Sequence, residues 1–361
     1  MAWLVSSLIQ AAKHELEKQN KKATSLKDVA KAIGVSTATI SNAFNRPDQL
    51  SDKLRSRILE ECKHLGYAGP SLAARSLRSG KSDVIGVVLA DSLGYSFSDP
   101  MAISLLEGVS SVLEKHNKQL LLLSSLSDNS SQVGAESLPD GFIFYGTPSQ
   151  NALARILNLS KPCVSIDFSH EAMPSVNIDN RKASKEIAEY AITDSDDSVA
   201  IIGMRLVEDE NVRALQEGDN LGNSQEIAHQ RLLGYLDGAA AKGVSIPFTS
   251  RIHLPRNTID YAQQAAIALL ERKDRPNVIL CMSDVIAMTV CRVANQMGIF
   301  VPEELKVTGF DDIAEATRNS PPLTTCSQQG VEKGIIATTM LIENDTVSKV
   351  VETKLRKRDS A

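Results

Sequence analysis

From residue 84 to residue 310 the sequence repeatedly sets a short run of β-branched and aliphatic residues ahead of an amphipathic helical stretch. That alternation restricts the fold more than any other feature. The runs 84–89, 120–123, 141–145, 163–168, 199–203, 251–254, 278–282 and 307–310 read as buried strands. The stretches 103–115, 151–157, 182–191, 230–242, 261–272 and 285–297 read as the helices between them. Strands alternating with helices imply parallel sheets wrapped by helices, and about ten strands imply two such sheets in two lobes. Ligands of open parallel sheets bind beyond the carboxyl ends of the strands, so two facing lobes enclose a cleft.

The first 81 residues follow a different pattern. They carry 14 Lys+Arg against 7 Asp+Glu, whereas 82–361 carry 25 against 37, so a basic head precedes an acidic body. Leu26, Val29, Ala30 and Ile33 fall at i, i+3, i+4 and i+7, the mark of an amphipathic helix. Gly34 supplies the left-handed stop, and Ser36 caps a second helix over 37–44 with Ile40, Ala43 and Phe44 turned inward. A third helix after Ser51 carries the stripe Leu54, Ile58, Cys62 and Leu65. Two short helices about a Gly-centred turn with a supporting third form a helix-turn-helix. The exposed start of its second helix offers Thr37, Ala38, Thr39, Ser41 and Asn42. These small polar and methyl-bearing groups suit a major groove, with Lys27, Lys53, Arg55 and Arg57 available to phosphates.

Composition excludes several classes. At 42% hydrophobic and 23% charged residues the chain is globular. No apolar run reaches the ~18 residues of a spanning helix, so no membrane role is expected. Five cysteines without CxxC spacing argue for a reducing, cytoplasmic setting without disulfides or structural zinc. No nucleophile–His pairing, GxGxxG, P-loop or HExxH is present. An enzyme using Asp311 or Asp179 as base is therefore the weaker reading, and no cofactor or metal is expected.

The stretch LKDVAKAIGVSTATISNAFNRPDQLSDKLRSRILEECKHLGY resembles the head of the lac repressor (LacI/GalR) family of bacterial transcription regulators. The resemblance continues through ARSLRSGKSDVIGVV, PSVNIDN, RLLGYLDG, MSDVIAMTV, VPEELKVTGFDDI and PPLTT, from Ser25 to Ser360. It implies a helical head (23–69), a hinge (70–82) and a periplasmic-binding-protein-like body (83–361). One lobe would span about 83–172 and 328–345, the other about 173–327 and 346–361, with crossovers near 171–174, at 327–329 and after Asn344. The extension 1–22 lies outside the pattern and receives no function.

By the same resemblance Thr37, Ala38, Thr39 and Asn42 read bases, beginning at the cap Ser36. Many relatives carry Arg where this chain has Asn42, which implies a preference for adenine over guanine there. The hinge would fold in the minor groove, Leu77 wedging between bases with Ala74 and Arg78 beside it. The chain would act as a homodimer on a near-palindromic double-stranded operator, controlled by a small polar effector: a sugar, sugar phosphate or nucleoside. Effector contacts are expected from Asp311 and Arg231, with Asp179 and Ser283 as further candidates and Tyr95 and Phe97 covering the ligand. Helix capping, shared with Asp312, competes with ligand binding at Asp311; a turn role competes at Asp179; and at the helix start Ser283–Asp284 the cap is assigned to Asp284. The Ser-rich stretch 124–139, six serines in sixteen residues, leaves no room for the full helix relatives carry there. A soluble sugar- or nucleoside-binding protein without a DNA role is the competing reading.

Overall fold

The computed structural model describes residues 25–67, 69, 80–127, 130–221 and 226–361. The extension 1–22 and the hinge residues Ala74, Leu77 and Arg78 lie outside the described residues. The chain divides into two compact units, up to Ser82 and from Asp83 onward.

The head contains α1 (Leu26–Ile33), α2 (Thr37–Asn45) and α3 (Asp52–His64). Ser25 and Asp28 close a capping box at the start of α1, and Gly34 ends it at φ 76°. Val29, Ala30, Ile40, Ala43, Ile58 and Cys62 form the core, flanked by Phe44 packed edge-on against Tyr67.

The body begins with β1 (Val84–Leu89), α4 (Leu93–Ser96), α5 (Pro100–Lys115), β2 (Gln119–Ser124), α6 (Ser130–Ala135), β3 (Gly141–Tyr145), α7 (Gln150–Leu157), β4 (Cys163–Ile166) and β5 (Ser175–Ile178). A second series follows: α8 (Asn180–Ala191), β6 (Val199–Met204), β7 (Arg213–Ala214), α9 (Ile227–Ala241), β8 (Arg251–Leu254), α10 (Ile259–Leu270), β9 (Val278–Cys281), α11 (Asp284–Gln296) and β10 (Lys306–Thr308). The chain then runs through β11 (Thr325–Ser327), α12 (Gly330–Glu343), β12 (Lys349–Val351) and β13 (Lys354–Arg356).

One sheet has the order β12-β5-β4-β3-β1-β2, all parallel; the other, β10-β9-β6-β8-β7, is parallel except for its β7 edge. This strand order corrects two of the expected lobe boundaries. β5 pairs with β4 in the first sheet, so the chain crosses after Ile178 rather than near 171–174. β12 also joins that sheet, alongside β5, so the last crossover falls between β12 and β13 rather than at 346. Apolar alternation does not reveal which sheet a three- or four-residue strand joins; backbone pairing does. The crossover around 328 lies between β11, which pairs with β13, and α12, which packs on α5.

Helix α6 has six residues, in keeping with the shortened stretch read from its serines. Two helix pairs approach closely through glycine. A Cβ on Gly108 of α5 would stand 2.0 Å from the Val331 carbonyl oxygen, and one on Gly234 of α9 would stand 2.2 Å from that of Arg181.

Candidate DNA-reading face and effector cleft

The candidate reading face of the head follows from its cap. Ser36 accepts a hydrogen bond from the Thr39 amide at 3.0 Å, and the two hydroxyls lie 2.8 Å apart. This fixes the first turn of α2 with Ser36, Thr37 and Ala38 exposed and Thr39 partly so. Asn42, one turn on, donates from Nδ2 to Gln49 Oε1 at 3.1 Å, which sets the plane of its amide. Ser41, expected on this face, is buried, because it shares the helix side of Ile40 and Phe44. Two of the expected phosphate contacts hold the head together: Arg55 donates to the Ala43 carbonyl and Arg57 to that of Ile33. Lys27 and Lys53 are exposed.

In the body, the carboxyl ends of the strands carry a connected set of charged side chains. Arg231, on α9, is almost fully buried. Its Nε donates to Asn180 Oδ1 at 3.0 Å and its Nη1 to the Met282 carbonyl at 2.6 Å, while its guanidinium lies 3.7 Å over the Phe310 ring. Asp311, just past β10, stands 3.6 Å from the same Nη1 and accepts from Gln328 Nε2 at 2.5 Å. Gln328 Oε1 in turn accepts from Lys333 Nζ at 2.7 Å, and Lys333 Nζ reaches Asp167 Oδ2 at 2.5 Å. An unbroken chain of polar contacts thus runs from Asp167, past β4 in the first lobe, to Arg231 in the second. Its middle member, Gln328, sits on a crossover segment.

A second link spans the lobes. Arg205, past β6, donates to Asp91, past β1, at 2.7 Å. Nine described residues other than glycine adopt positive φ, and five of them, Asp167, Arg205, Asp311, Asp312 and Gln329, belong to this region. Backbone strain of about 1–3 kcal/mol per residue concentrates where side chains must be aimed rather than merely packed.

The electrostatics are acidic. Burial pushes the Asp311 carboxyl up to about 7, against the opposing pull of Arg231 and with a further push from Asp99. Burial likewise raises Asp99, with Asp91 adding to it, and raises the hydroxyls of Tyr95 and Tyr145, on both of which the charges of Asp99 and Asp311 bear. Behind Asp311, the carboxyl of Asp284 is driven well up by burial and by Asp311 itself; it accepts from the Ile313 amide and from Thr325 Oγ1. A Cβ at position 309 would fall 2.1 Å from Asp284 Oδ1, so glycine is required there.

Of the expected effector residues, the structure brings Asp311 and Arg231 together and sets Tyr95 within reach of the Asp311 charge. Phe97 closes the short helix α4 and is mostly exposed. Asp179 is the N-cap of α8, accepting from the Lys182 amide at 2.9 Å; its neighbour Asn180 meets Arg231 instead. Ser283 caps α11 and donates to Asn257, which corrects the assignment of that cap to Asp284. Asp312 is no cap either: Arg356 and Arg358 bind it. Asp167, Lys333, Gln328, Arg205 and Asp91 were missed. Lys333 left a signal, since it shares an i, i+4, i+8 face with Ala337 and Leu341, a cation on an apolar stripe.

Residues 25–69 match the family described as bacterial regulatory proteins, lacI family, and residues 218–361 match the periplasmic binding protein-like domain. An HTH-type transcriptional regulator of Mycobacterium tuberculosis is 34% identical over 331 residues, 88% of this chain and 90% of the relative. The chain belongs to the lacI family. Like other lacI-family proteins, it is a DNA-binding transcription regulator. Two solved lacI-family folds superpose along nearly its whole length. The lac repressor dimer bound to operator and the anti-inducer ONPF has a TM-score of 0.72 at 18% identity, covering 94% of this chain and 99% of the repressor. The regulator CelR in complex with cellobiose has a TM-score of 0.62 at 23% identity, covering 93% and 99%. Within this lacI-family body no described helix is long and apolar enough to cross a membrane, and no cluster of metal-binding residues occurs among the described residues.

Proposed function

We propose that the chain is a repressor that binds a near-palindromic operator as a homodimer in the cytoplasm, and that a small polar effector held between the two lobes controls its grip on DNA. The observation that carries this reading is the buried Arg231–Asp311 pair joined through Gln328 and Lys333 to Asp167. Charged groups are costly to bury unless they are paired or have a ligand to meet. This set bridges two lobes whose relative movement is the means by which such bodies switch. The lac repressor and CelR, bound to small ligands in their solved structures, support the same assignment.

On the DNA side, Thr37, Ala38, Thr39 and Asn42 read base edges from α2, and two copies of that helix must meet major grooves about 34–36 Å apart, which favours a dimer on a two-fold site. Groups that contact phosphate place the head without specifying sequence. We read the cleft as a binding site: the Asp311 carboxyl faces Arg231 and Gln328, and that of Asp284 accepts from Thr325.

The test is selection from a random duplex library at several salt concentrations, followed by sequencing. Recovery of a two-fold site bound orders of magnitude more tightly than bulk DNA is expected. Weak, uniform and wholly salt-driven binding would sink the operator reading and leave a ligand-binding body as the better account.

A further inference from the structure

The end of α2 bears on which base Asn42 selects, on the premise that α2 reads the major groove. Asn42 belongs to a closed ring of hydrogen bonds within the head. Its carbonyl accepts from the Arg46 amide at 2.8 Å, and the Arg46 carbonyl accepts from the Gln49 amide at 3.1 Å. Gln49 Oε1 closes the ring by accepting from Asn42 Nδ2 at 3.1 Å. The two backbone bonds end α2 and form the 3₁₀ turn Pro47–Gln49, which brings Gln49 back to the side chain of Asn42. Gln49 is exposed, whereas Leu50 beside it packs on the head core and Ser51 caps α3. Its side chain therefore leaves an anchored stretch of backbone.

The ring decides what Asn42 has left to offer. A side-chain amide carries two N–H donors and one carbonyl acceptor. One donor goes to Gln49, which leaves a single N–H beside Oδ1. Adenine shows the groove an acceptor at N7 and a donor at N6, so one N–H and one oxygen satisfy it. Guanine shows two acceptors, N7 and O6. Meeting both takes both Nδ2 hydrogens; with one on Gln49, Oδ1 is left to face a guanine acceptor. The sense of the bond matters. Were Gln49 to donate and Asn42 Oδ1 to accept, both Nδ2 hydrogens would stay free and guanine would suit. In the groove, with water displaced, such a bond between amides is stronger than in solvent.

We propose that Gln49 is a specificity-determining residue that acts through Asn42, holding its amide in the setting that satisfies adenine and not guanine. Asn42 makes the base contact, and Gln49 is a positioning residue. Position 49 thus carries part of the sequence preference without touching a base.

The experiment is competition binding of the full chain to duplexes that differ at one base pair, built on the site recovered by selection. Asn42→Ala identifies the relevant pair as the one whose preference it flattens. There the parent is expected to favour adenine over guanine about 10-fold or more. Gln49→Met keeps the length and loses the acceptor; it is expected to cut that ratio about 5-fold and leave the other pairs unchanged. Gln49→Glu can only accept, and is expected to keep the ratio within about twofold while its charge weakens all duplexes alike. Gln49→Lys can only donate, and is expected to move the preference toward guanine. In the Asn42→Ala background none of the three alters any base preference. Melting temperatures check that each exposed substitution leaves the fold intact.

A ratio unchanged in Gln49→Met and Gln49→Lys overturns the proposal, as do a ratio lost in Gln49→Glu and a parental preference for guanine. An effect of position 49 that persists in the Asn42→Ala background makes Gln49 a reader in its own right and overturns it too. If Asn42→Ala flattens no base pair, the reading role of Asn42 falls and the proposal with it. Failure to recover any site in the selection is a separate result, and removes the operator reading itself.

Discussion

Asp311 shows how much a single side chain can be asked to do. Its carboxyl is held up to about 7, chiefly by burial, so between roughly pH 4 and 7 the folded chain holds a proton that the unfolded chain has lost. Its contribution to stability is therefore greatest at low pH and is lost as pH rises through about 7. Asp311→Asn removes the buried charge while retaining an acceptor for Gln328. The melting temperature of the variant relative to the parent is expected to rise between pH 5 and pH 8, on the order of several degrees; a difference that stays flat across that range refutes the assignment. At the DNA face, Asn42→Arg is expected to move the preferred base at its position from adenine toward guanine in a selected-site logo, while Asn42→Ala flattens that position by about 1–3 kcal/mol. Asp311 and Arg231 were singled out in the sequence, Asp311 past a patterned strand and Arg231 in the early turns of a helix, with the family resemblance pointing to both. Asp167, Gln328 and Lys333 were not, because 166 residues separate Asp167 from the lysine that binds it.

Among elements, those with a clear apolar pattern were read closely, and five short strands and one long helix were not. Helices α1 to α3 declared themselves through caps, a glycine stop and apolar spacing. Strands β5, β7, β11, β12 and β13, of two to four residues each, include polar or charged side chains and show no continuous apolar run of the kind that marks the equally short β9. Helix α12 escaped because two glycines, two threonines and a buried lysine on its faces obscure an apolar stripe. Where α8 meets α9, glycine sets the distance between the axes. Gly234→Ala would place a methyl 2.2 Å from the Arg181 oxygen and 2.7 Å from Ser184 Cβ, and is expected to destabilise the body by about 1–3 kcal/mol in denaturant melts. Gly94→Ala, whose methyl would meet nothing within 4 Å, serves as the control and is expected to lie within about 0.5 kcal/mol of the parent. In the head, Ser36→Ala removes the cap on α2 at a cost of about 1 kcal/mol, and the residues proposed to read bases lose their fixed first turn with it.

At the scale of the whole body, the Arg205–Asp91 contact joins the two lobes at partly exposed side chains. An ion pair of this kind contributes little to folding, about 0–1 kcal/mol. On the proposed movement of the lobes the same energy would shift their populations, so Arg205→Ala is expected to melt within a degree or two of the parent yet bind the proposed effector about two- to fivefold more weakly in calorimetry. The two-sheet plan of the body was plain in the sequence; where the chain passes from one sheet to the other was not, since that depends on pairing among the shortest strands. Those crossings bear on how the protein is made. The sixth strand of the first sheet is β12, and the partner that β11 requires is β13. Both come near residue 350, so neither lobe is complete while the preceding three hundred residues leave the ribosome. The body therefore finishes folding as one late event rather than as two successive domains, and its exposed sheet edges wait for the same few residues.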